Sequence, residues 1–144
     1  MESLQGKTAV VTGGASGMGK AFAERFARAG MNVVIADVEV PPLEAAVAEL
    51  SAHGTTVIGV RTDVSDPESV QALADRALAE LGTVNVVCLN AGVSGGNGPI
   101  ETLTPADWQW TLGVNVFGKK IDPRKYTVTR SVALQPFTSV ISTV

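Results

Sequence analysis

Two periods of apolar spacing alternate along this chain. The runs "KTAVVT" (7–12), "NVVIAD" (32–37), "TVIGVRTD" (56–63) and "TVNVVCLN" (83–90) are short and rich in β-branched residues. Such runs suit strands buried on both faces. Between them the spacing lengthens. Met18, Phe22 and Phe26 place one apolar stripe on a helix that ends near Gly30. Leu43, Val47 and Leu50 stripe a second helix, stopped at Gly54. A third lies in "SDPESVQALADRALAELG" (65–82), with a proline at its start and Glu68 placed to close a capping box with Ser65. A fourth follows Thr104, the expected N-cap, with Pro105 as its first helical residue.

Strand and helix thus alternate over residues 7–118. That order demands parallel strands with helices on both faces, joined by right-handed crossovers. The expected fold class is α/β: an open parallel sheet of Rossmann type in three αβα layers, with its later strands missing. No repeat or low-complexity segment interrupts the alternation.

Composition narrows the function classes. A chain of 144 residues, 45% apolar and 17% charged, should form one domain with a real core. The net charge of −3 gives no reason to expect nucleic acid as a partner. Residues 1–6 lack the basic start and apolar run of a signal peptide, and no stretch is long and apolar enough to span a bilayer. The single cysteine, Cys88, excludes an intrachain disulfide and agrees with a reducing cytoplasm. No metal site is expected. The charge is uneven, however. Residues 1–118 hold 6 Lys/Arg against 13 Asp/Glu, whereas residues 119–144 hold 5 against 1. Such a swing marks a boundary, with a cofactor-binding half at 1–118 and a divergent tail, foreign to the fold, at 119–144.

The candidate chemistry lies in "TGGASGMGK" (12–20). Gly14, Gly19 and Lys20 fit the start of a mononucleotide P-loop, but that loop needs a magnesium-binding Ser or Thr next, and Ala21 has no oxygen. Thr12, Gly13, Gly17 and Gly19 fit T-G-x-x-x-G-x-G instead. A turn between strand and helix sets bare backbone N–H groups and a helix dipole against a pyrophosphate. Asp37, closing the second strand, is placed to accept hydrogen bonds from an adenosine ribose and to repel a 2′-phosphate. Neither Ser16 nor Val38 supplies the positive charge such a phosphate needs. The cofactor expected is NAD rather than NADP. A glycine turn that merely tightens a strand–helix corner is the plainer alternative.

Here the chain resembles the short-chain dehydrogenase/reductase family over residues 4–118. "TGGASGMG" is similar to its cofactor loop, which implicates Gly13, Ser16, Gly17, Met18 and Gly19. Asp63-Val64 matches the pair that receives adenine. Asn90-Ala91-Gly92 matches the segment beneath the cofactor, with Leu89 standing where many members carry another asparagine. "NVFG" (115–118) matches N-V-x-G, whose asparagine, here Asn115, belongs to the catalytic tetrad. The resemblance implies hydride transfer between nicotinamide and an alcohol or carbonyl carbon of a small molecule. In that chemistry a tyrosine of Y-x-x-x-K is the acid/base, made more acidic than a free phenol (pKa ~10) by nearby cations. Family members are homo-oligomers, a state doubtful here.

After Asn115 the chain diverges. "KKIDPRK" (119–125) crowds four cations around a helix-breaking Pro123. Tyr126 and Arg130 imitate Y-x-x-x-K, but a guanidinium cannot pass on a proton, and the pair follows Asn115 too closely. Ser142 is an incidental polar residue, and the tyrosine and lysine of the tetrad are absent. Three readings stay open: an oxidoreductase represented by an incomplete, inactive chain; a binding module that holds NAD without chemistry; or a product altered in frame after residue 118. Cys88 reads as core. His53 reads as complementing a helix C-terminus, and at most one of Trp108 and Trp110 as core. The loop "SGGNGP" (94–99) is either a cover for the nicotinamide or a plain connector. A bare edge on the fourth strand would invite aggregation or pairing with "FTSVISTV" (137–144).

Overall fold

The computed structural model describes residues 3–96, 98–119 and 130–132. Four parallel strands, β1 (Thr8–Thr12), β2 (Asn32–Asp37), β3 (Val57–Arg61) and β4 (Val86–Cys88), alternate with helices α1 (Gly17–Arg28), α2 (Val40–Ser51) and α3 (Pro67–Leu81). A short 3-10 turn at Ile100–Thr102 precedes α4 (Pro105–Asn115), and a second at Phe117–Lys119 ends it. The strand order is β3-β2-β1-β4-β5, with β5 at Arg130–Val132. Every neighbouring pair is parallel. The Rossmann-type open sheet read from the sequence is the fold observed.

Side chains leave a strand on alternate faces, so β1 and β2 feed two cores. Val11, Val33 and Ile35 pack with Ala23 and Ala27 of α1 and Leu43 and Leu50 of α2. Val10, Val34 and Ala36 pack with Leu73 and Ala77 of α3 on the other face. Each β2 residue from Val33 to Ala36 is buried, which explains the unbroken apolar run.

Three expectations change on contact with the structure. The buried face of α1 is Gly19, Ala23 and Ala27, while Met18 is half exposed and Phe26 only flanks the core. Small residues let the helix lie close to the sheet and push the bulky stripe to its side. The N-cap of α3 is Asp66 rather than Ser65: Asp66 accepts from the Glu68 N–H at 3.0 Å. Pro67 fixes the first helical position, so the residue before it takes the cap. Ser65 instead donates its hydroxyl to Asp63 Oδ1 at 2.6 Å. Finally, the outer edge of β4 is covered by Arg130–Val132. The segment expected there, 137–144, lies outside the described residues.

Thr104 is the N-cap of α4, as its sequence suggests, and forms a full capping box with Asp107. Trp108 and Trp110 are both about half exposed. His53 follows the end of α2, with Nε2 3.7 Å from Glu24 Oε1. Among the described residues no helix is long and apolar enough to cross a membrane, and no cluster of metal-ligating side chains forms.

Candidate functional site

All four sequence-read strands point their C-terminal ends into one cleft of about 600 Å³. In open α/β sheets this is where crossovers on opposite faces part and leave room for a ligand. Here the parting falls between β1 and β4.

The glycine turn forms the cleft floor. Gly14 donates its N–H to Ala36 O at 3.2 Å, and Ala15 donates to Asp37 Oδ2 at 3.0 Å. These bonds tie the turn to the end of β2. Gly17 has a φ of +52° and open space where a Cβ would stand. A side chain there would be strained by the backbone and would project into that space. Gly19 is required for the opposite reason. A Cβ on it would collide with Gly13 O and lie 2.5 Å from Asn90 Nδ2, so α1 sits against the turn only without one. Ser16 is the N-cap of α1, yet its side chain makes no capping bond, and the first turn holds no acidic residue. The amides opening α1 are therefore uncapped by any side chain.

Thr12 joins this floor to the next wall. Its Oγ1 accepts from the N–H groups of Asn90 and Ala91, each at 3.1 Å, and donates to Cys88 O at 3.4 Å. Asn90 answers by donating Nδ2 to Thr12 O at 3.0 Å and Gly13 O at 3.1 Å. Asn115, at the end of α4, grips the following residue: its Oδ1 accepts from the Val93 N–H at 2.9 Å, and its Nδ2 donates to Val93 O at 2.8 Å. The carboxamide of Asn115 is thus engaged with backbone.

The remaining wall comes from the ends of β2 and β3. Asp37 Oδ1 accepts from the Glu39 N–H at 3.2 Å, which holds the carboxylate beside the turn. Thr62 donates its N–H to Asp37 O at 2.8 Å, and Asp63 is fixed by Ser65 and Ser69. Three carboxylates, Asp37, Glu39 and Asp63, line the cleft, and among the described residues no lysine or arginine lines it.

Most residues nominated from sequence meet here: Gly13, Ser16, Gly17, Met18, Asp37, Asp63, Val64, Asn90, Ala91 and Gly92 all line the cleft. Gly19 lies behind the floor, and Asn115 acts through Val93. Val38, weighed from sequence as a neighbour of the ribose, lines the cleft too, while sequence reasoning missed Glu39, Thr62, Val93, Trp110 and Val114. Adjacency to the motifs would have found the first three. Trp110 and Val114 share one side of α4 at helical spacing, which was a readable signal. None of the described residues of the 94–99 loop lines the cleft. Cys88 is core, and burial pushes its thiol pKa up. Tyr126 and Ser142 lie outside the described residues.

The parallel order and the cleft define a Rossmann-type α/β protein. A family model described as short chain dehydrogenase matches residues 7–121. The chain belongs to that family. It is 54% identical over 92 residues to 1-deoxy-11-beta-hydroxypentalenate dehydrogenase of Streptomyces exfoliatus, covering 64% of this chain and 34% of that protein. A short chain dehydrogenase/reductase of Burkholderia phymatum, solved in complex with NAD, superposes with a TM-score of 0.78 at 50% identity, over 82% of this chain and 42% of that one. L-sorbose reductase of Gluconobacter frateurii, solved with NADPH and L-sorbose, gives 0.74 at 34% identity, over 79% and 43%. The chain spans less than half the length of each of these three relatives.

Proposed function

We propose that this chain binds an adenine dinucleotide along the cleft, prefers NAD(H) to NADP(H), and is the cofactor half of an oxidoreductase acting on an alcohol or carbonyl group of a small molecule. The observation that carries the reading is the Asp37 carboxylate, fixed beside the glycine turn in a cleft that no cation lines among the described residues. A ribose with both hydroxyls free can donate to such a carboxylate. A 2′-phosphate would meet Asp37 and Glu39 at close range, with no cation among the described lining residues to offset the repulsion. The uncapped amides at the start of α1 and the open space at Gly17 suit a pyrophosphate.

When bound, the nicotinamide supplies the site that gains or gives up hydride. This chain's own residues bind and orient. Thr12 and Asn90 lock the floor to the β4 wall, and Asn115 holds Val93 in place. Proton transfer at the substrate oxygen needs an acid/base group, and Tyr126 with Arg130 does not provide the Y-x-x-x-K pair. The 144 residues therefore bind cofactor without turnover.

Isothermal titration tests this. NADH is expected to bind, NADPH to bind about tenfold or more weakly, as like charges at close range require, and ATP to give no heat. Absence of NADH binding refutes the reading. Equal affinity for NADPH refutes only the preference.

A further inference from the structure

The stretch Asn115 to Gly118 touches both long walls of the cleft. Asn115 grips the β4 wall through Val93. Gly118, three residues on, seats against the β3 wall. It is buried, and its φ is not positive, so backbone conformation does not ask for glycine there. Space does. A Cβ on Gly118 would stand 2.8 Å from Val64 O, 2.9 Å from Val64 Cγ2 and 3.1 Å from Gly113 O. Real Cβ atoms do not tolerate the first two distances, so something must move.

The geometry points to Val64. Its neighbour Asp63 is held from the far side by Ser69 Oγ at 3.0 Å and by its own bonds to Ser65. Asn115 holds the end of α4. A methyl group added between these two braced elements drives the Val64 backbone toward the cleft it lines. We infer that Gly118 is a positioning residue for the adenosine end of the cofactor: its missing side chain sets how far the Val64 wall stands from Asp37 and the glycine turn. This rests on the dinucleotide reading above.

The test compares Gly118→Ala with Gly113→Ala, using NADH and adenosine monophosphate as ligands. Gly113 is the control, because a Cβ there meets only Ser65 Cβ at 3.4 Å, an ordinary contact. Gly118→Ala is expected to weaken both ligands by the same factor, about tenfold, a loss of about 1.4 kcal/mol. Gly113→Ala should leave both unchanged. A lowered melting temperature with unchanged affinity in Gly118→Ala makes the glycine a plain packing residue and overturns the inference. So does a loss confined to NADH, or an equal loss in Gly113→Ala. Wild-type protein that binds neither ligand overturns the dinucleotide reading, and this inference with it. Should Gly118→Ala not fold, hydrogen exchange on the wild type decides. Adenosine monophosphate must protect the amides of Val64 and Gly118 together, and protection of Val64 alone refutes the link.

Discussion

At the residue scale, two side chains carry more than their share. Asp37 accepts from Ala15 and Glu39 before any ligand arrives, so its carboxylate is already placed and little ordering is lost on binding. Asp37→Ala is expected to lower NADH affinity about 10- to 100-fold, the range for a hydrogen bond to a charged group. Asp37→Asn keeps the size and removes the repulsion, so the NADH-to-NADPH preference should shrink. Titration of both cofactors checks this, and an unchanged ratio in Asp37→Asn counts against the carboxylate as the discriminator. Thr12 is the second. Thr12→Val leaves the Asn90 and Ala91 N–H groups without their acceptor, a loss of about 1–3 kcal/mol for a buried unsatisfied donor. Chemical denaturation should show it, with NADH affinity falling as well because the floor and the β4 wall separate. The glycine loop and Asp37 were legible in the sequence because each is a residue type forced by backbone or charge. Glu39, Thr62 and Trp110 carried only weaker signals, adjacency to a motif for the first two and helical spacing with Val114 for the third, because the packing of three separate elements is what places them in the cleft.

Elements were legible in kind more than in detail. All four sequence-read strands and helices exist, since a switch between short β-branched runs and longer spacing reports burial directly. Facing failed on α1, where Gly19, Ala23 and Ala27 are buried by closeness to the sheet rather than by hydrophobicity. A stripe of large apolar residues is a weaker guide where a helix lies near a backbone. The α4 cap shows an electrostatic consequence. Thr104 donates its hydroxyl and its N–H to Asp107 Oδ2 at 2.7 and 2.8 Å. The Thr104 hydroxyl, then its backbone N–H, hold the Asp107 pKa below the ordinary value. A depressed folded pKa stabilises the folded form above the unfolded pKa, and that contribution is lost as pH falls through the folded value. The start of α4 should therefore fray in acid before the sheet does. Amide exchange across 106–111 should rise below the usual aspartate range, and Asp107→Asn should flatten that dependence. A variant that keeps the acid-induced fraying would assign it elsewhere.

For the whole molecule, the question is what covers the outer edge of β4. Interior strands β1 and β2 are flanked on both sides, and among the described residues the neighbour beyond β4 is Arg130–Val132. That neighbour was not legible as a strand: it is three residues long and sits in a basic, proline-interrupted stretch without alternation. Its pairing nevertheless satisfies backbone groups that would otherwise face solvent as a template for another chain. Further apolar exposure lies on α4 and just after it. Trp108, Trp110, Leu112, Val116 and Phe117 each keep between 41 and 59% of their surface accessible. Such exposed apolar side chains favour association, as a bare β4 edge would if the β5 cover were removed. A chain ended after Gly118 loses the β5 cover but none of the described residues that line the cleft. It is expected to form larger species than the full 144 residues at equal concentration, measured by light scattering, with NADH affinity of its monomeric fraction preserved. If the shortened chain scatters no more than the full one, the β4–β5 pairing contributes nothing to keeping copies apart. If its monomer loses NADH, residues 119–144 belong to the binding half rather than to a separate tail.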